Sequence, residues 1–336
     1  MGHEAPVNVG IIGLGDHASQ SHIKYLANLP AACNIQAVAD LNSARMDTVA
    51  SEYGLQAATQ YTDWEALIAD DKVEAVFIMT PDALHIRQLV GAVAAGKHVL
   101  CEKPLANTWQ DYLELESALE TAAQNRLVVT TCHPRRFDPP FIKAANYLRS
   151  PDILGKDFEL PPSALPVDGL GQPQAFTFGF QYHRPSKHGL HTSLMFDHLN
   201  HEVDAMHMLF GTGDIADATK EYDSETAFKV TGRRTDGIRF DFTGSRELEE
   251  RVYAEQMTIE GTNGKLAIDM HHGTAQLQIG GQDYHRADEG YKTDYTARFS
   301  ALNRHFLGVV MLGASPYVSN EQLLINTRAA IALHES

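Results

Sequence analysis

Two groups of polar residues in this chain have the chemistry of an acid–base site. The first is Glu102-Lys103-Pro104, which directly follows a short apolar run at 99–101. The run predicts a buried strand, and Pro104 forces the chain to turn where that strand ends. A lysine held at such a turn can stabilise negative charge that develops on an oxygen atom. Taken alone, the same three residues are equally consistent with a salt bridge on a surface loop.

The second group lies in the segment 193–210, whose apolar spacing predicts a helix. Asp197 and His201 are four residues apart and therefore share one face of that helix, with Asp204 one turn further on. A carboxylate beside an imidazole can hold the ring and raise its basicity, which suits a general base that removes a hydroxyl proton. The alternative is a pair of polar residues with a purely structural role.

A metal site is a further alternative for the same helix. His198 and His201 are three residues apart and Glu202 is adjacent, while the remaining histidines of this region are His183, His188, His191 and His207. This spacing is not that of a known zinc-binding helix. We therefore expect no bound metal, and we expect His198 to line the substrate or to have a structural role.

These groups need a scaffold, and the N-terminal half predicts one. The residues at 7–12 form a strand pattern that runs into Gly13-Leu14-Gly15-Asp16-His17-Ala18, with helical spacing over 17–29. In a G-x-G-x-x-A turn, Gly13 permits the tight turn, Gly15 lets a pyrophosphate approach the backbone, and Ala18 lets the helix pack closely on the strand. We expect a dinucleotide to contact Gly13, Gly15, Asp16, His17 and Ala18.

Asp40 ends the second predicted strand, at 35–39, and lies 22 residues after Ala18. This is close to the spacing of the acid that accepts hydrogen bonds from an adenosine ribose and repels a 2′-phosphate. Asp40 therefore favours NAD over NADP, although Arg45 could compensate for its charge. The alternative is a helix cap or a turn residue, since Asn42 and Ser43 follow.

The next predicted strand, at 73–79, ends in Thr80-Pro81, and His85 lies on the helix that follows. Thr80 and Pro81 would place a backbone turn beside the nicotinamide ribose, unless they only separate strand from helix. We expect the remaining cofactor contacts at Thr80, Pro81, His85, Glu102 and Lys103.

Strands and helices alternate through residue 131, which predicts a doubly wound parallel sheet and a dinucleotide-binding Rossmann domain at 1–132. The rest, 133–336, has short turn-bounded strands at 174–182, 227–232, 238–243, 252–261, 264–268 and 274–279, and helices near 294–311 and 321–334. It predicts an α+β domain with a mainly antiparallel open sheet, and the helix at 321–334 could pack back on the first domain. The proline-rich stretch 151–173 predicts a surface excursion.

Composition excludes several classes of protein. The net charge of −16 repels nucleic acid and anionic lipid, and the apolar runs are too short to span a bilayer. Three widely spaced cysteines do not form a disulfide framework. The N-terminus lacks the apolar stretch of a signal peptide. We expect a cytoplasmic protein without nucleic-acid or membrane partners.

The chain resembles the glucose-fructose oxidoreductase / inositol dehydrogenase family, Gfo/Idh/MocA. The resemblance rests on the glycine turn, Asp40, the 73–81 segment with His85, the 95–105 segment, Arg136-Phe137, Asp197-x-x-x-His201-x-x-Asp204, the 260–264 segment and the C-terminal helix. It implies an NAD(P)-dependent oxidoreductase that acts on the CH–OH group of a sugar, inositol or related polyol.

The resemblance also implies roles for individual residues. Lys103 would contact the reacting oxygen and the nicotinamide ribose, Asp197 would orient the substrate or the histidine, and His201 would act as the acid/base. We expect the substrate to be bound by Lys103, Arg136, Tyr182, His198 and His201. An open antiparallel sheet commonly supports subunit pairing, so we expect a homodimer or homotetramer. Two other functions remain open: elimination or hydrolysis assisted by a retained NAD, and a non-catalytic NAD-binding regulator.

Overall fold

The chain folds into two compact units. The computed structural model describes residues 6–161, 163–183, 193–248 and 253–335. The first unit comprises Met1–Pro134 and Thr296–Arg328, and the second comprises Arg135–Tyr295 and Ala329–Ser336. The sequence-based division assigned all of 133–336 to the second domain. Residues 296–328 instead join the first unit because their apolar side chains pack there, as Phe306 does against Phe77, with ring centroids 5.3 Å apart.

The first unit is built on a parallel sheet of six strands, in the order β3-β2-β1-β4-β5-β6. The predicted doubly wound parallel sheet is confirmed. Its strands are β1 (Val7–Ile12), β2 (Cys33–Ala39), β3 (Thr59–Tyr61), β4 (Ala75–Ile78), β5 (His98–Cys101) and β6 (Val129–Thr131). β3 escaped prediction because it has only three residues, none of them buried. The order changes direction between β1 and β4, which is where open α/β sheets bind their ligands.

Helices connect these strands. They are α1 (Asp16–Ala18), a π-helical turn (Ser19–Ile23), α2 (Lys24–Leu26), α3 (Ser43–Tyr53), α4 (Trp64–Ile68), α5 (His85–Ala94) and α6 (Trp109–Gln124). Their starts follow from local chemistry: Asn42 caps α3, Asp63 caps α4, and Thr108 with Asp111 forms a capping box on α6. The apolar faces of these helices pack on a core that includes Ile78, Val99 and Leu119.

The second unit contains a sheet of eight strands, in the order β14-β13-β12-β11-β7-β10-β9-β8. Its strands are β7 (Pro173–Tyr182), β8 (Ile215–Asp223), β9 (Ala227–Arg234), β10 (Arg239–Ser245), β11 (Tyr253–Gly261), β12 (Gly264–Asp269), β13 (Thr274–Ile279) and β14 (Gln282–Ala287). β7 and β10 pair in parallel, and the other neighbours pair antiparallel. The predicted mainly antiparallel sheet is confirmed. The first residue of the predicted strand at 252–261 lies outside the described residues.

One face of this sheet is buried and the other is open. Every second residue of β7 from Phe176 to Tyr182 is buried, and β13 alternates strictly between exposed and buried positions. The helices of this half of the chain are α7 (Pro139–Arg149), α8 (Pro151–Asp157), α9 (Leu194–Phe210), α10 (Tyr295–Leu312) and α11 (Asn320–Glu335). β8 and β14 escaped prediction because these two edge strands carry alternating charged and polar residues with little apolar signal.

The prediction for 151–173 was wrong in part. This stretch begins with α8 and ends at the start of β7, and it is not a simple surface excursion. Leu154, Phe158 and Leu170 are buried and belong to the apolar core of the second unit. Apolar side chains spaced along the stretch outweigh its prolines, since Pro151 occupies the first turn of α8, where proline is tolerated.

No helix among the described ranges has both the length and the apolar character needed to cross a bilayer.

A buried ion cluster ties three elements of the second unit together. Arg135 donates to Glu255 Oε1 from Nε at 2.8 Å and from Nη2 at 2.5 Å, and to Glu202 Oε1 from Nη1 at 3.2 Å. All three side chains are at most 4% exposed. The guanidinium also stacks over Phe178, with its carbon 4.7 Å from the ring centroid. One cation therefore neutralises carboxylates on α9 and β11.

Arg135→Met should lower the free energy of unfolding by about 3–5 kcal/mol, because it leaves two buried carboxylates without their cation. Urea unfolding at pH 7 measures the change. The control is Arg87→Met, which breaks the largely exposed pair with Glu65 and should cost well under 1 kcal/mol. Adding Glu202→Gln and Glu255→Gln to Arg135→Met should restore part of the loss. A loss below about 1 kcal/mol in Arg135→Met alone would contradict this account.

Candidate active site

The glycine turn after β1 has the backbone geometry that its sequence predicts. Gly13 has a φ of +88°, and a Cβ there would lie 2.8 Å from the Met79 carbonyl oxygen. Any other residue at this position would therefore be strained and crowded. Gly15 precedes α1, and a Cβ built on it would meet nothing within 4 Å. Ala18 is buried, as close packing of helix and strand requires. The backbone beside Gly15 is thus open to a ligand.

Asp40 lies at the carboxyl end of β2 and is bound to the glycine turn. Its Oδ2 accepts a hydrogen bond from Leu14 N at 2.9 Å, and its Oδ1 accepts one from Asn42 N at 2.9 Å. Arg45 Nη1 lies 3.2 Å from both carboxylate oxygens. The cap of α3 is Asn42, whose side chain accepts from Arg45 N, so Asp40 is not the cap. The Asp40 side chain is only 8% exposed, partly because Arg45 covers it.

His85 joins the ends of β4 and β5. Its Nδ1 lies 2.8 Å from the Pro104 carbonyl oxygen, and its Nε2 lies 2.8 Å from the Thr80 carbonyl oxygen. Carbonyl oxygens only accept hydrogen bonds, so the ring bridges both turns when each nitrogen carries hydrogen. Thr80 in turn donates from its hydroxyl to Gln88 Oε1 at 2.5 Å. The imidazole of His85 therefore sets the spacing between the Thr80-Pro81 turn and the turn that carries Lys103.

Two imidazole rings lie within hydrogen-bond distance of the Glu102 carboxylate. Glu102 Oε1 lies 2.9 Å from His17 Nε2 and 3.1 Å from His22 Nε2. Its other oxygen accepts a hydrogen bond from Lys103 N at 3.2 Å. Burial alone would raise the pKa of Glu102, but the charges and hydrogen bonds of His17 and His22 outweigh burial and hold that pKa well below its usual range. The acid immediately before Lys103 is therefore ionised and anchored to the helical run after the glycine turn.

In the second unit, the predicted acid–base residues lie on a partly accessible stretch near the start of α9. Asp197, His198 and His201 are partly exposed, whereas every residue from Glu202 to His207 is buried. Ser193 starts the helix by accepting a hydrogen bond from Phe196 N, and it donates to Asp223. Asp197 Oδ2 lies 3.9 Å from His198 Nε2. The helix thus presents a carboxylate and two imidazoles at its first two turns.

His198 belongs to an aromatic group at the carboxyl end of β7. Its ring stacks on Phe180 with centroids 4.1 Å apart, and its Nε2 lies 3.3 Å from the Tyr182 hydroxyl. The rings of His198 and His201 are 6.1 Å apart. The structure therefore brings three predicted residues of the second unit, Tyr182, His198 and His201, into one neighbourhood.

Arg136 is engaged in a buried ion pair. Its Nε lies 3.0 and 2.9 Å from the two carboxylate oxygens of Asp204, and its Nη2 lies 2.9 Å from Oδ1. Asp204 is 1% exposed. This pairing gives Arg136 a structural role, and substrate binding by Arg136 stays a prediction.

In the possible metal site on α9, the carboxylate of Glu202 is engaged by another residue. Glu202 points to Arg135, His207 Nε2 lies 3.0 Å from the Gly213 carbonyl oxygen, and His183 Nδ1 bonds the Leu248 carbonyl oxygen. His188 and His191 lie outside the described residues. Glu202 and His207 therefore have partners within the protein, and the expectation that no metal binds on this helix stays a prediction.

Three functional connections could not be read from the sequence. The sequence does not predict that His17 and His22 lie close together, because residues five apart lie about 140° apart around an α-helix. The π-helical turn at Ser19–Ile23 brings them to one side. The bridge made by His85 and the cluster around Arg135 join residues far apart along the chain, and no local pattern identifies such partners.

Known proteins resemble this chain at two levels. The model of the Gfo/Idh/MocA family, described as an oxidoreductase family with an NAD-binding Rossmann fold, matches residues 7–133. The inositol 2-dehydrogenase of Salmonella paratyphi B is 29% identical over 205 residues, which cover 60% of this chain and 54% of the relative. Inositol 2-dehydrogenase 1 of Saccharopolyspora erythraea is 36% identical over 136 residues, covering 40% of this chain and 39% of the relative. The chain thus spans about half, or less, of these relatives.

The fold extends further than these sequence matches. A levoglucosan dehydrogenase solved in complex with NADH and levoglucosan superimposes with a TM-score of 0.78 and 19% identity, covering 98% of this chain and 97% of that structure. At this identity the likeness shows the fold.

The three cysteines are buried and unbonded, and two of them lie close to Glu102 along the sheet edge. Burial raises the pKa of the Cys33 thiol to about 11. Burial, followed by the charge of Glu102, raises the pKa of Cys101 and Cys132 well above the usual range. These thiols are therefore protonated at neutral pH, and their nucleophilic form is scarce.

At pH 8 the native chain should react with iodoacetamide far more slowly than the urea-unfolded chain, which should take up three labels. A thiol of pKa about 11 is only about one-thousandth thiolate at that pH, and burial blocks the reagent further. Mass spectrometry after timed quenching measures the labels. Rapid labelling of any cysteine in the native chain would contradict the burial described here.

Proposed function

We propose that this chain, whose residues 7–133 match the model of the Gfo/Idh/MocA oxidoreductase family, transfers a hydride between NAD and a secondary alcohol or ketone of a sugar, inositol or related polyol. The observation that carries the proposal is the Glu102-Lys103-Pro104 turn at the carboxyl end of β5, within that matched segment and on the same sheet edge as the open glycine turn. The relatives that carry the name inositol 2-dehydrogenase support the polyol class.

In the proposed oxidation, a bound nicotinamide would supply the hydride acceptor for the alcohol carbon, while the hydroxyl proton leaves the oxygen. His201 accepts that proton, and Asp197 orients the ring or the substrate. Lys103 donates a charge-assisted hydrogen bond to the same oxygen and stabilises its growing negative charge. The reverse reaction uses the same groups, with protonated His201 as the acid. Tyr182 and His198 supply an aromatic wall and a hydroxyl for substrate contacts.

NAD is the cofactor that these residues suit. The open backbone at Gly15 would accommodate a pyrophosphate, and the turn around it would be formed by Gly13, Asp16, His17 and Ala18. Asp40 would accept hydrogen bonds from the ribose hydroxyls, and its negative charge disfavours a 2′-phosphate. Thr80, Pro81 and His85 support the neighbouring turn on the nicotinamide side. We further propose a cytoplasmic homodimer or homotetramer, in which the open face of the eight-stranded sheet provides the pairing surface.

The experiment is a screen of polyols, aldoses and sugar acids that follows NADH formation by absorbance. A simple dehydrogenase releases one NADH for each product formed. An enzyme that retains NAD for elimination or hydrolysis would form product without net NADH, and a non-catalytic regulator would form neither.

With a substrate in hand, Lys103→Ala and His201→Ala should each lower kcat by about 10²- to 10⁴-fold, because each removes a group that acts on the reacting oxygen. The dissociation constant for NAD should stay within a few-fold, as measured by calorimetry. Matched controls are Lys72→Ala and His272→Ala, which remove an exposed lysine and an exposed histidine. Near-native turnover in both test variants would refute the proposed roles.

Asp40→Ala should weaken NAD and reduce the ratio of kcat/KM for NAD over NADP by roughly tenfold or more, since a hydrogen bond to a charged group contributes about 1.5–3 kcal/mol. Steady-state kinetics with both coenzymes measure the ratio. Arg45→Ala is the control, because it removes the neighbouring cation and should leave the preference for NAD. If the coenzyme ratio is unchanged in Asp40→Ala, the ribose assignment is wrong.

A further inference from the structure

His17, His22 and Glu102 bring three metal-ligating atoms together in the first unit. Their donor atoms all lie within 4.8 Å of one another, and across the described ranges this is the one group of three or more histidine, cysteine or acidic residues that does so. Two imidazole nitrogens and one carboxylate oxygen form the ligand set of several catalytic zinc sites and of non-haem iron sites.

The ring of His22 is oriented as a metal ligand would be. Asn303 donates from Nδ2 to the Ser21 carbonyl oxygen at 3.2 Å, so its Oδ1 is the atom that faces His22 Nδ1, at 2.8 Å. His22 Nδ1 must therefore carry a hydrogen, and Nε2 is the ring nitrogen that faces Glu102 Oε1, 3.1 Å away. Metal-bound histidines usually have their second nitrogen held by such an oxygen acceptor.

A carboxylate oxygen only accepts, so the contact between His22 Nε2 and Glu102 Oε1 requires either a proton on that nitrogen or a metal cation bound to both atoms. His17 Nε2 approaches the same oxygen at 2.9 Å. Ligand atoms of a tetrahedral site with bonds near 2.0 Å lie roughly 3.3 Å apart. The two distances from Glu102 Oε1, 2.9 and 3.1 Å, are close to that value, and the two imidazole nitrogens lie within 4.8 Å of each other.

The backbone contributes a second, independent observation. Ser19–Ile23 forms a π-helical turn between α1 and α2, and this turn places His17 and His22 on one side of the helical run, with ring centroids 6.1 Å apart. Single π-helical turns inside helices are uncommon and often occur at functional sites. His17 is also 49% exposed, which leaves the cluster open to solvent on one side.

We propose that His17 Nε2, His22 Nε2 and Glu102 Oε1 form a binding site for one divalent transition-metal ion of the zinc, cobalt or ferrous type. The exposed side at His17 leaves room for water or another ligand to complete the coordination. The proposal does not rest on the proposed dehydrogenase activity, because binding is measured without dinucleotide or substrate.

The test is a titration of the chelator-treated full-length chain with Co²⁺, followed by calorimetry and by the visible absorption of the cobalt ion. We expect one Co²⁺ per chain at this site, and at least tenfold weaker binding in His17→Ala. Because His17 is half exposed, that variant should keep its fold, which thermal unfolding checks. His17→Cys should restore binding and add the charge-transfer absorption of a cobalt–thiolate bond.

The control is the double variant His271→Ala/His272→Ala, since these adjacent exposed histidines can hold transition metals nonspecifically. Its stoichiometry at the proposed site should equal that of the wild type. Absence of binding in the wild type would overturn the proposal and leave a proton as the occupant. Binding that survives in His17→Ala but disappears in the double variant would overturn it as well.

Discussion

The buried carboxylate of Glu102 is the constraint on which the ligand-binding edge of the first unit depends. Removing an ionised carboxylate from water costs several kcal/mol unless partners replace the water, and here the partners are His17, His22 and the backbone N–H of Lys103. The two histidines lie on the helical run that follows the glycine turn. Satisfying one charge thus joins the end of β5 to the run that follows β1, and Lys103 is placed by the same contact.

A second polar bridge is made by the imidazole of His85. His85 spans the carbonyl oxygens of Thr80 and Pro104, so the ends of β4 and β5 are held at a definite spacing. Gly13 allows β1 to turn against the Met79 carbonyl oxygen, and Asp40 connects the end of β2 to Leu14. The ends of β1, β2, β4 and β5 are therefore linked by the side chains of Asp40, His85 and Glu102, which the sequence predicts as cofactor contacts. Their contacts within the protein prepare this edge for a ligand.

Prediction from the sequence succeeded where the determinant is local. The strands at Val7–Ile12 and Thr274–Ile279 have the predicted bounds, because apolar periodicity acts over a few positions. It failed where partners are distant or the periodicity is unusual. The sequence did not predict that Arg136 pairs with Asp204. It did not predict the π-helical turn that brings His17 close to His22. The prolines of 151–173 led to the prediction of a surface segment, although several of its apolar residues lie in the core. The family model matches residues 7–133, while the roles of individual site residues stay predictions.

The central proposal is that Lys103 and His201 act on the same oxygen of one substrate during hydride transfer. A double-mutant cycle of kcat/KM with Lys103→Ala, His201→Ala and the combined variant tests it most directly. Residues that act as a unit are strongly non-additive, so we predict that the combined variant loses little more activity than the worse single variant. If instead the two losses multiply, the lysine and the imidazole act independently, and the account of a shared reacting oxygen is contradicted.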